Sequence, residues 1–263
     1  MPTLKKAVTA ACLNLPVRET LIAASEMGAE GVQFDVRTEL RPSDLSHTGR
    51  RQFSKFLSEM NLELPSLRFS SRRAFYNAND LERRIAATKA AMDFAYQLGA
   101  KILTLRIGRI PTDAESPDYL ILREVLNGIA RYGNHVGVAA AITPSGDNPA
   151  DLARLLGDIT KGPLGLDFDP AGFLMSGHDP LPMLRELHQW IFHVQARDGL
   201  QDASGSGLEV ALGRGEIDWL EFVATLDEIA YRGWLIVTRT QGEDRAGDAE
   251  RALKYLRNID APQ

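Results

Sequence analysis

Eight short apolar runs recur along the chain, and a helix-patterned stretch fills each gap between them. The runs are Ala7–Leu13, Gly31–Arg37, Glu63–Phe69, Lys101–Ile107, Val136–Thr143, Gly165–Asp169, Ile191–Ala196 and Trp234–Arg239. Strict alternation of strand and helix implies a parallel sheet, because each helix returns the chain to the same edge. Eight such units in 263 residues suit a closed (β/α)8 TIM barrel, typically about 250 residues long, better than an open doubly wound sheet. Residues 1–263 are therefore expected to form a single barrel domain without linkers.

Local signals agree with that frame. Ala249, Ala252, Leu253 and Leu256 follow the spacing of a one-sided helix. Another helix is expected from a cap at Asp80 to Leu98, with Gly99 as its left-handed stop. Asp218 caps a helix that ends before Gly233, and Pro16 and Pro149 suit first-turn positions. The segment DASGSG, Asp202–Gly207, is the most flexible-looking piece and follows the seventh strand.

The totals exclude several classes. A net charge of −5 argues against non-specific nucleic-acid binding. No apolar run reaches the ~20 residues of a membrane helix. The opening MPTLKKAVTAACLNLP resembles a leader, but it lacks a small-x-small cleavage site and reads as a first strand. The one cysteine, Cys12, lies in that apolar run and is expected to be a packed thiol. Its solitude fits a reducing, cytoplasmic setting.

Alternate residues of a barrel strand face the lumen or the helices. Assigning the apolar set to the helices leaves Gln33, Asp35 and Arg37 for the lumen in the second strand. It leaves Ser66 and Arg68 in the third, Thr104 and Arg106 in the fourth, Asp167 and Asp169 in the sixth, and His193, Gln195 and Arg197 in the seventh. Polar side chains thus converge near the C-terminal strand ends, where barrel sites are built. Arg37, Arg68, Arg106 and Arg197 share this space with Asp35, Asp167 and Asp169. Two readings stand. The charges neutralise each other internally, or spare guanidinium groups hold an anionic ligand by forked hydrogen bonds.

Several segments resemble, in order and spacing, the sugar phosphate isomerase/epimerase family with its xylose isomerase-like TIM barrel. They are AASEMGAEGVQFDVR, AYQLGAKILTLRIG, GLDFDPAGFLMSGHDPL, HVQARDG, ALGRGEIDW and YRGWLIVTR. The resemblance covers nearly the whole chain. It implies a divalent metal held by Glu, Asp, His and Glu from strands five to eight, with the glutamates moving protons beside a carbonyl. At the matching positions this chain has Thr143, Asp169, Gln195 and Thr238. The histidine often found three residues after the strand-six aspartate is Gly172 here.

One carboxylate with neutral hydroxyl and amide partners is a poor site for a hard divalent cation. Threonine is no general base near neutral pH. No metal is therefore expected in the family's manner, and no other cofactor. Asp169 is expected to take positive charge from Arg197, Arg106 or Arg68, and Gln195 to bond Asp169 and a ligand hydroxyl. His193 reads either as a satisfied core histidine or as a substrate contact. GRGEID, Gly213–Asp218, completes no dinucleotide fingerprint and reads as a tight turn.

Three functions follow from this. The first is a pseudoenzyme that binds a small polar or anionic sugar-like ligand through Arg37, Arg68, Arg106, Thr143, Gln195, Arg197 and Thr238. The second is a metal-independent isomerase, epimerase or lyase on a sugar, sugar phosphate or hydroxy acid, with Asp169, His193 and Asp198 as proton carriers. The third is an ordinary Mn, Mg or Zn isomerase whose site has shifted to Asp167, Asp169, His193 and Asp198. The partner in each is a small molecule rather than nucleic acid or membrane. Pairing into a homodimer is compatible with the sequence but nothing in it demands that.

Overall fold

A computed structural model describes residues 4–202 and 207–260. Its strands are β1 (Lys5–Thr9), β2 (Gly31–Asp35), β3 (Leu67–Ser70), β4 (Ile102–Arg106), β5 (Ala139–Ile142), β6 (Leu164–Phe168), β7 (Ile191–Ala196), β8 (Asp198–Leu200), β9 (Leu208–Val210) and β10 (Trp234–Val237). All but β8 and β9 pair in parallel and close a barrel in the order β1-β10-β7-β6-β5-β4-β3-β2. The expected eight-stranded TIM barrel is the observed fold.

The helix-facing residues fill one core. Val32, Phe34, Leu67, Leu103, Leu105, Leu166, Phe168 and Val194 are all buried. On the last helix, α10 (Arg245–Ile259), the four residues of the apolar stripe are buried against the barrel. At its end the Asp260 carboxylate ion-pairs with the buried Lys6 of β1, which ties the last helix to the first strand.

Several edges differ from expectation. The first strand ends at Thr9, and Ala10–Leu13 form the short helix α1, so Cys12 is helical. Four apolar residues carry no periodicity that separates a strand from a helical turn. Val136 closes α5 (Pro117–Val136), and β5 starts at Ala139. Asp80 precedes α4 (Leu81–Gln97) at φ 56° and makes no side-chain cap bond. Asp218 does cap its helix, α9 (Trp219–Glu228), accepting from the Leu220 and Glu221 N–H groups.

Two features were not expected. After β7 the chain forms an antiparallel ribbon of β8 and β9 above the barrel mouth. Residues 203–206 of the DASGSG segment lie outside the described residues. After β6 two short helices, α7 (Pro170–Met175) and α8 (Pro180–Glu186), take the place of one.

Candidate functional site at the barrel mouth

The lumen holds a buried polar chain centred on Asp167. Its Oδ2 accepts from the Thr143 hydroxyl at 2.6 Å and the Gln195 amide at 2.7 Å. Its Oδ1 lies 2.7 Å from His193 Nδ1. His193 Nε2 is 2.8 Å from the Ser66 hydroxyl, and the Gln33 amide donates to that hydroxyl at 2.8 Å. Burial alone pushes the Asp167 carboxyl up. The charge and hydrogen bond of His193, with the Thr143 and Gln195 bonds, outweigh it and hold the carboxyl below the usual aspartate range.

The expected partners of Gln195 and Thr238 are corrected here, and of the two readings of His193 the polar chain fits the satisfied core histidine. Gln195 bonds Asp167, not Asp169, because β6 ends at Phe168 and Asp169 turns away to start α7. His193 has partners on both ring nitrogens and is 1 % exposed, so it sits in the barrel's interior layer without reaching the mouth. Thr238 lies just past β10 and donates to the Ile236 carbonyl of its own strand.

Asp169 forms the next layer toward solvent. Its Oδ1 caps α7 through the Gly172 N–H at 3.0 Å. Its Oδ2 accepts from Arg197 at 2.7 Å, and Arg197 Nε donates to Glu209 of β9 at 2.8 Å. Glu209 is also held by Arg239 and by the Thr240 and Gln241 N–H groups. Burial depresses the Arg197 guanidinium, but the two carboxylates it bridges raise it on balance. Likewise burial pushes Glu209 up, while Thr240 and Arg197 bring it below the ordinary glutamate value.

Arg68 and Arg106 lie beside this bridge on neighbouring strands, with Ser70 of β3 in register with Arg106. Arg68 donates one bond, to the Ser70 hydroxyl at 3.1 Å. Arg106 reaches solvent, and among the described residues nothing hydrogen-bonds or ion-pairs with its guanidinium. Partial burial, then the neighbouring charge of Arg68, lower its pKa; Asp169 acts the other way. Arg37 is corrected: it lies in the turn after β2, stacks 5.8 Å over the Phe69 ring, and donates to the Ser70 carbonyl at 2.5 Å. It leaves the lumen because the strand ends at Asp35.

Asp198 is also corrected. It is 1 % exposed, and its carboxylate accepts from the N–H groups of Gly199, Gly213 and Gly215 and from the Trp219 indole. These four bonds, one to Oδ1 and three to Oδ2, tie the β8–β9 ribbon to the turn before α9.

The sequence reading missed Glu39. It lines a mouth cleft of about 210 Å³ with Thr9, Gln33, Asp35, Arg68 and Ser70. Its carboxylate accepts from the Asp35 N–H at 2.7 Å. Burial pushes its pKa up, and the Asp35 charge adds to this against the pull of that N–H and of Arg68. The available signal was an acid four residues beyond the lumen-facing Asp35.

Among the described residues, no three His, Cys, Asp or Glu side chains form a group that could hold a metal ion. Asp167 and His193 engage each other, Asp169 engages Arg197, and Asp198 engages backbone. The shifted metal site therefore does not assemble from these four.

Residues 21–259 match the model of the xylose isomerase-like TIM barrel family. The chain is 25 % identical over 298 residues to an inosose dehydratase of Lacticaseibacillus casei, covering 99 % of this chain and 92 % of that one. A crystal structure of a xylose isomerase domain protein from Planctomyces limnophilus superposes with a TM-score of 0.86 at 22 % identity, covering 98 % of each chain. A probable 3-DHS dehydratase from Bacillus anthracis superposes with a TM-score of 0.81 at 15 % identity, covering 96 % of this chain and 98 % of that one. With the barrel matched and the family model spanning residues 21–259, the chain belongs to the xylose isomerase-like TIM barrel family.

Proposed function

We propose that this protein binds a small anionic, sugar-like ligand at the barrel mouth without a divalent metal. The observation that carries this reading is the Arg106 guanidinium, without a hydrogen-bond or ion-pair partner among the described residues and set near Arg68 and the Arg197–Asp169 pair. Like charges held together by a rigid sheet need an anion near them, and a guanidinium fork suits carboxylate or phosphate.

The donor set argues against a metal in the family's manner. Thr143 and Gln195 are neutral groups that donate their hydroxyl and amide protons to Asp167, Thr238 bonds its own strand, and the Asp169 oxygens accept from Arg197 and the Gly172 N–H. Mg²⁺ or Mn²⁺ asks for several oxygen ligands, preferably anionic. One carboxylate already paired with arginine does not supply them.

A second reading rests on Glu39. A carboxyl with a raised pKa, beside the Asp35 carboxylate and the Arg68 guanidinium in a cleft, is suited to carry a proton. On that reading the protein is a metal-independent isomerase, epimerase or lyase, with Glu39 moving the proton and Arg68 or Arg106 steadying the developing anion. The dehydratase names of two relatives are compatible with it, since loss of water beside a carbonyl also begins with proton removal.

Titration calorimetry with sugar acids and sugar phosphates in metal-free buffer tests the binding reading. Saturable binding is expected, weakened about tenfold or more in Arg106→Ala, the loss typical of one charge-assisted contact. Binding that appears only with Mn²⁺ contradicts it.

A further inference from the structure

Outside the mouth, a groove of about 680 Å³ runs between the turns after β2 and β3 and the start of α4. Arg37, Arg41, Arg72, Arg73, Arg83 and Arg84 line it. Among the described residues, Asp80 is the one acid on its wall, and it pairs with Arg73 at 3.1 Å. This is a concentration of positive charge in a chain whose net charge is −5.

The six arginines divide by role. Arg84 donates to the carbonyls of Ala74, Asn77 and Asn79 and so holds the loop that forms one wall. Arg37 stacks on Phe69 and Arg41 Nε bonds the Arg37 carbonyl. Arg72 and Arg83 are exposed, with no hydrogen bond or ion pair among the described residues. The wall itself is pinned. Phe75 is fully buried and its N–H donates to the Ile107 carbonyl at 2.8 Å. Gly108, at φ +91°, lets Ala74 approach so closely that a Cβ there would lie 2.3 Å from the Ala74 Cβ. The backbone that carries Arg72 is thus held in place, and the exposed Arg72 and Arg83 side chains have their forks available to an anion, with the ordering cost of two long side chains.

The groove is continuous with the mouth. An intermediate cleft of about 390 Å³ shares Arg37, Arg41, Ser71 and Arg72 with the groove, and Asp35, Thr38 and Ser70 with the mouth cleft. The mouth cleft, about 210 Å³, is smaller than the roughly 300–1,000 Å³ of ordinary small-molecule sites. A ligand seated there extends outward along this path.

The geometry points to a phosphate-binding subsite in this groove, which takes the phosphate or diphosphate end of a ligand whose sugar-like end lies at the mouth. It rests on the reading of the mouth as a ligand site. Arg72 and Arg83 supply the free forks, Arg41 adds charge, and Arg84 acts as a positioning residue for the wall. A diphosphate carries enough negative charge to engage several of these groups, whereas one carboxylate does not.

Calorimetry on the full chain at low ionic strength tests this with inorganic pyrophosphate as the groove probe and gluconate as the mouth probe. Pyrophosphate is expected to bind one to one. Its affinity should fall at least about tenfold in Arg72→Ala/Arg83→Ala and in Arg72→Gln/Arg83→Gln, and stay within about twofold in Arg131→Ala, an exposed arginine on α5 that lines neither the groove nor the mouth cleft. Both groove residues are exposed, and an unchanged circular dichroism melt confirms folding. No saturable pyrophosphate binding, or a loss in Arg106→Ala without one in the groove variants, overturns the subsite. So does a ten-nucleotide single strand that outcompetes pyrophosphate and shares its dependence on Arg72 and Arg83. Failure of gluconate to bind counts against the mouth reading alone and leaves the pyrophosphate result to be judged by itself.

Discussion

Arg197 bonds Asp169 at 2.7 Å through one guanidinium nitrogen and Glu209 at 2.8 Å through another. The strand-six carboxylate is thereby joined to the β8–β9 ribbon by a cation that belongs to the protein. Both carboxylates are nearly closed to water, with side-chain exposures of 7 % and 0 %. Removing Arg197 leaves two buried negative charges facing one another. Arg197→Ala is expected to lower unfolding free energy by about 3 kcal/mol, as for other broken buried pairs. Arg197→Lys should recover less than half of that, since one ammonium cannot span both partners as a planar fork does. Urea denaturation of the three proteins checks this.

Asp167 should make stability sensitive to acid. Its folded-state pKa lies below the unfolded value, so its contribution is complete above about pH 4 and fades as pH falls through the folded value. Glu209, also shifted down, acts in the same window. Asp167→Asn is expected to flatten the acid limb of the stability–pH curve and to cost about 2 kcal/mol at pH 7, the loss of charge-assisted bonds from Thr143, Gln195 and His193. Thermal unfolding between pH 3 and 7, on the order of one scan per half unit, reads both.

Glu39 should titrate above the ordinary glutamate midpoint of about 4.3. The shift is upward because burial comes first and the Asp35 charge second. Asp35→Asn should therefore lower the midpoint without restoring it fully. Carboxyl-carbon NMR of labelled protein measures each step. If the mouth performs proton transfer, Glu39→Gln abolishes solvent-proton exchange into a bound ligand while affinity changes little.

Asp198 is a loop anchor on this account. A Cβ at Gly215 would lie 2.0 Å from its Oδ1 and 2.4 Å from the Gly199 carbonyl. Gly215→Ala and Asp198→Ala should each destabilise the protein by about 1–3 kcal/mol. Neither should change the affinity of the folded protein for a mouth ligand by more than about twofold, on the order of 0.4 kcal/mol. Denaturation and calorimetry on the same samples separate the two effects.

The barrel was legible because helix-facing positions such as Val32, Phe34, Leu103 and Leu105 must be apolar, and strand spacing displays them. The inward set of Gln33, Ser66, Asp167, His193 and Gln195 followed from the same alternation. Its wiring did not. Which acid Gln195 meets depends on where β6 stops and α7 starts, one residue either way. Arg37 and Glu39 lie in a turn with no periodicity, so alternation carried Arg37 into a lumen it does not enter and, ending there, did not reach Glu39, whose one signal was its position four residues after Asp35. The tethering of Asp198 depends on Gly213 and Gly215 N–H groups 15 and 17 residues away, brought back by a ribbon that the turn-rich segment concealed.

The most direct test of the central claim, that arginine has replaced a cation beside Asp169, is the metal content of the protein purified without chelator. Elemental analysis followed by Mn²⁺ titration should find far less than one Mn, Zn or Mg per chain and no saturable Mn²⁺ heat at neutral pH. One tightly held divalent ion per chain, released together with a loss of ligand affinity, would contradict it.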